Sequence, residues 1–140
     1  MSKIWITNDY QTMIPGTSTL WHDLVTWLDA RWVGGCVFGA LAGHVAQLAR
    51  YERPDLIIRN ATWFGPIDVP GVPVISLIQD IMPENSWQRG EQARVARLSA
   101  LTVFNSAYTR VQYPELADIT SRVIPLSVDS DIFRPMDVEP

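Results

Sequence analysis

Short apolar runs alternate along this chain with longer segments whose apolar residues recur at helical spacing. Lys3 to Asn8 carries Ile4, Trp5 and Ile6 in succession and predicts a buried first strand. The loop from Asp9 to Ser18 contains Pro15 and Gly16, and Thr17 or Ser18 suits the N-cap of the helix that follows. On that helix Leu20, Leu24 and Leu28 fall at i, i+4 and i+8, with Trp21, Val25 and Trp27 widening the stripe. Trp21, Trp27 and Trp32 are therefore expected in the core. Arg31 to Phe38 reads either as a short strand around Trp32-Val33, broken by Gly34-Gly35, or as loop.

The pattern then becomes clearer. Leu41, Val45, Leu48 and Ala49 predict a helix between Phe38 and Tyr51, ended by Pro54, and Asp55 to Asn60 reads as a strand with a polar end. Trp63 to Pro73 is a loop rich in Gly and Pro. Val74 to Ile78 is the clearest buried strand, stopping at Gln79-Asp80. Pro83 and Asn85-Ser86 introduce a helix from Ser86 to Leu98, amphipathic through Val95 and Leu98 and basic on its other face. Leu101 to Phe104 is another strand, after which Ser106 caps a short helix that Pro114 shortens or kinks. The last apolar run, Val123, Ile124, Leu126 and Val128, predicts a final strand that breaks at Asp129 and leaves toward Phe133 and Pro135.

Strand and helix alternate with connections long enough for crossovers. The expected fold is α/β, a single Rossmann-like domain with a parallel sheet of about six strands and helices on both faces. Residues 1–128 form the domain, and 129–140 begin a linker. Ligands of such sheets sit outside the carboxyl ends of the strands. Those ends carry Asn8 to Ser18, Asn60, Gln79-Asp80, Asn105-Ser106 and Ser127 to Asp129.

Composition narrows the classes. One hundred and forty residues fit one domain with a real core, and a formal charge of -4 gives no general attraction to nucleic acid. Arg89, Arg94 and Arg97 still allow a local basic patch. The single cysteine, Cys36, excludes an internal disulfide and a multi-cysteine metal site, and fits a reducing compartment. His22 and His44 lie on separate helices without ligand spacing, so no metal site is expected. The N-terminus lacks a signal-peptide core, and Trp32 to Leu48 is too short and interrupted to span a bilayer. The chain reads as cytoplasmic, with any membrane contact peripheral.

Two segments carry a family resemblance. Leu101 to Arg110 reads Leu-Thr-Val-Phe-Asn-Ser-Ala-Tyr-Thr-Arg, and Val123 to Pro135 reads Val-Ile-Pro-Leu-Ser-Val-Asp-Ser-Asp-Ile-Phe-Arg-Pro. With Pro54-Asp55-Leu56-Ile57-Ile58, they resemble the N-terminal domain of retaining GT-B glycosyltransferases of family 4 (glycosyl transferases group 1), whose closing segment usually reads V-I-P-x-G-V-D-x-x-x-F-x-P. Three positions depart from that pattern. Ser127 stands where the family has Gly, Gln79 where many members have His, and the first loop has Gly16 where two adjacent glycines are common.

The resemblance implies the acceptor-binding half of an enzyme that transfers sugar, with retention and without a required metal, from a nucleotide-sugar donor. A C-terminal domain would hold the donor. It implies no cofactor, a carbohydrate or lipid-linked acceptor, and no activity for the isolated half. Asp80 and Gln79 take the catalytic-side position, Asp80 as acceptor of a sugar hydroxyl's hydrogen bond. Gly16 and Thr17 would face the donor diphosphate, and Asn105, Ser106, Thr109, Arg110 and Trp63 would meet the acceptor. Each has a structural counterpart: Gly16 in a strand-to-helix turn, Asp80 in an Asx turn, Ser106 as a cap, Trp63 as packing. The alternative function is a non-enzymatic binding or scaffold module that self-associates or pairs with a partner domain. A flavodoxin-like domain is a third possibility.

Overall fold

The computed structural model describes residues 3–7, 17–33, 41–61 and 65–125, apart from the side chains of 17–19 and 41–42. Within them the chain alternates as expected: β1 (Ile4–Thr7), α1 (Thr17–Trp27), β2 (Arg31–Trp32), α2 (Leu41–Glu52), β3 (Leu56–Asn60), β4 (Val74–Ile78), α3 (Trp87–Leu98), β5 (Leu101–Phe104), α4 (Ala107–Val111), a 3-10 turn (Pro114–Leu116) and β6 (Ser121–Val123). The six strands form one sheet in the order β2-β1-β3-β4-β5-β6. Every pairing is parallel. The expected parallel six-stranded α/β fold with helices on both faces is present.

In-register pairing lines side chains up in rows across the sheet. Ile6, Ile58, Ile75 and Leu101 form one such row. Because side chains alternate along a strand, this row and its neighbours belong to one face. On that face Ile6 and Ile58 are buried with Trp21 of α1. The opposite face buries Trp5, Ile57 and Val74 with Val45 and Ala49 of α2 and with Ile67, Val69 and Val72 of the β3–β4 connection. Further along it, Ile78 and Phe104 pack on Val95 and Ala96 of α3, with Tyr113 and Leu116 closing the cluster. Among the described residues one helix thus covers the first face, over β1 and β3, and the remaining elements cover the other.

The ends of these elements follow from local chemistry. Ser86 is the N-cap of α3, its hydroxyl oxygen accepting from Arg89 N at 3.2 Å, and Ser106 caps α4 by accepting from Thr109 N at 2.9 Å. Pro114 stands at the start of the 3-10 turn, where its missing N–H costs nothing, so α4 stops at Val111. In the connection before β4, Val72 N donates to Val69 O across Pro70-Gly71, and Gly71 has φ +81, the conformation a type II turn needs at that position.

Three expectations are corrected and one alternative is decided. Trp27 is 67 % exposed and Leu98 57 % exposed, because each sits off the sheet-facing arc of its helix. In the ambiguous Arg31 to Phe38 segment the strand alternative holds: among the described residues Arg31–Trp32 pairs beside β1. The last strand is Ser121–Val123 rather than the run beginning at Val123: Thr102 and Phe104 of β5 select Ser121 and Val123 as partners, and Ile124 N adds one more bond to Phe104 O. The segment from Leu126 through the expected linker lies outside the described residues.

Trp21 is fully buried at the centre of its cluster, whereas Trp27 stands in solvent on the same helix. Trp21→Ala should lower unfolding free energy by about 3–5 kcal/mol and Trp27→Ala by under about 1 kcal/mol, read by denaturant titration.

Candidate functional site

The carboxyl ends of β4 and β5 lie side by side. Ile78 pairs with Phe104, so the next residues, Gln79 and Asn105, are neighbours and point to the face that carries Leu77 and Val103. The Asn105 amide donates to Gln79 O at 3.0 Å, and its backbone N–H donates to Ile78 O at 3.3 Å. Thr109 Oγ1 donates to Asn105 Oδ1 at 2.6 Å. Ser106 and Thr109 hydroxyls are 2.9 Å apart. Asn105, Ser106 and Thr109 therefore form one closed set that joins two strand ends to the start of α4. Ser106 acts as the cap, and Thr109 is buried. Arg110 is exposed, and among the described residues its side chain has no hydrogen bond or ion pair.

Asp80 follows Gln79 as the chain leaves β4. Its residue is exposed, while its backbone is anchored by Gln92 Nε2, which donates to Asp80 O at 3.3 Å; the Tyr113 hydroxyl lies 3.0 Å from the same oxygen. A phenol has one proton to give, and the shorter contact, 2.6 Å to Gln92 Oε1, takes it. Met82 N in turn donates to the Tyr113 oxygen at 3.0 Å. Burial raises the Tyr113 pKa, with the Met82 N–H and nearby Arg89 opposing, so the phenol stays protonated through neutral pH. Asp80 thus offers a solvated carboxylate on a fixed stem.

That stem depends on Arg89. Its guanidinium lies 4.4 Å from the Tyr113 ring centroid, donates to Met82 O at 3.3 Å and to Gln112 O, and meets Glu115 through Nε at 2.6 Å and Nη2 at 2.9 Å. One buried cation gathers α3, the loop after β4 and the turn after α4. Of the three arginines that allowed a local basic patch, Arg89 is buried and paired with Glu115, Arg94 pairs with Glu91, and Arg97 pairs with Asp118.

Gln79 differs from its neighbours. Among the described residues its Oε1 is buried without a hydrogen-bond partner. The face it joins is an apolar groove of about 310 Å³ between α1 and the strands β4 to β6, floored by Ile75, Leu77, Leu101 and Val103 and walled by Leu24 and Trp27. Gly16 and Trp63 lie outside the described residues, and Thr17 is described only as the first residue of α1. Among the described residues no group of three or more His, Cys, Asp or Glu side chains is disposed to hold a metal ion, and no helix is long and apolar enough to cross a membrane.

The polar core of α3 and the buried Arg59 are the residues that sequence pattern passes over. Arg89, Gln92, Val95 and Ala96 share one helical face at spacings of three, three and one, which puts two polar residues in line with the core. Arg59 follows the apolar Leu56-Ile57-Ile58 of β3 and is fully buried, donating to Asn60 O at 3.0 Å and to Gly65 O at 2.7 Å.

Searches against family models, curated proteins and solved structures returned no match.

Two measurements probe the stem. The Arg89 side chain holds the Glu115 carboxyl below the ordinary glutamate range, chiefly through their hydrogen bonds. With the folded-state value below the unfolded one, the pair adds stability above about pH 4.3 and loses it as pH falls through the folded-state value. Glu115 is 36 % exposed and screened by water, so the contribution is a small slope in unfolding free energy that sets in as pH falls through the ordinary glutamate range and is flattened in Glu115→Gln. Arg89→Ala should cost about 3 kcal/mol at neutral pH, since it strips two backbone carbonyls and the Tyr113 ring of their partner.

Proposed function

We propose that this chain is the acceptor-side, N-terminal domain of a GT-B retaining glycosyltransferase similar to family 4. The observation that carries the reading is the adjacency of β4, β5 and β6. The Leu101–Arg110 segment runs along β5 into α4, the start of the Val123–Pro135 segment continues β6 beside it, and Gln79-Asp80 stands at the neighbouring strand end. Pieces far apart in sequence thus share one end of the sheet, where open parallel sheets take their ligands.

In this reading Asp80 accepts a hydrogen bond from an acceptor hydroxyl, and its anchored backbone keeps that carboxylate in one place. Gln79, an amide where relatives have imidazole, can hold a hydroxyl but cannot carry a proton. Asn105, Ser106 and Thr109 position the strand ends, since their hydrogen-bonding groups are already engaged with one another. Arg110 remains the group available to a phosphate-bearing acceptor. Gly16 and Thr17 would face the donor diphosphate. Donor binding and the choice of sugar belong to a second domain, with basic residues and a pair of glutamates that complete the enzyme across a cleft. Cytoplasmic placement fits a cytoplasmic pool of sugar nucleotides.

The 140-residue chain should transfer no sugar above a protein-free control from any of a panel of uridine, guanosine and adenosine diphosphate sugars. Turnover by the isolated chain would contradict its assignment as one half of a catalyst. Where a glycan array identifies a carbohydrate ligand, Asp80→Ala should weaken its binding by about tenfold, and Glu84→Ala, at an exposed position on the same loop, should leave it unchanged, as read by calorimetric titration.

A further inference from the structure

No further inference is drawn: the strongest candidate, the apolar groove of about 310 Å³ between α1 and the strands β4 to β6, carries none, because nothing in the structure shows what covers it.

Discussion

The handedness of the crossover decides which face of this sheet each helix covers. A strand, a helix and a parallel strand connect almost always in the right-handed sense. The step from β1 to β2 runs toward one edge of the sheet, and the other steps run toward the opposite edge. Handedness therefore sends α1 to one face and α2, α3 and α4 to the other. The buried clusters divide accordingly, Ile6 and Ile58 under Trp21, Ile57 under Val45, Phe104 under Val95. The groove is the remainder of that division. β4 and β5 carry apolar residues on both sides, as parallel strands do, and among the described residues only one side has its own helices.

Most of the fold is legible because each element states itself locally. Val74 to Ile78 is uninterrupted and bounded by Pro73 and Asp80, and Ser86 and Ser106 name their helices by hydroxyl and spacing. The places where pattern misleads are those decided by partners. β2 is two residues long and exists because β1 offers a free edge. β6 is fixed by pairing with Thr102 and Phe104, which moves its start to Ser121 despite the stronger apolar run that begins at Val123. Trp27 has the spacing of a core residue but occupies the flank of α1, and periodicity alone does not say how wide the covered arc is.

The candidate site is legible in a different sense. Strand ends identify Gln79-Asp80 and Asn105-Ser106 as residues to examine, and the pairing of β4 with β5 brings them together. Their division of labour is not in the sequence. Asn105, Ser106 and Thr109 satisfy one another, while Asp80 is carried on a stem whose fixed point, Arg89, looks in sequence like one of three surface arginines. An arginine reads as exposed until the carboxylate across from it is known, and Glu115 is twenty-six residues away. Long-range pairing of this kind is what a one-dimensional pattern omits.

The strand order also sets a direction of assembly during synthesis. β1 leaves the ribosome first but lies inside the sheet, so its backbone waits for β2 and then β3 to supply both neighbours. From β3 onward each new strand adds to the edge its predecessor has just formed. A chain made in this way grows its sheet outward in the order of translation, and its nascent hydrophobic edge moves from β3 to β4 to β5 before β6 covers the last of them. For a parallel sheet, whose pairings are slow to find once a chain is released, synthesis itself supplies the register one strand at a time.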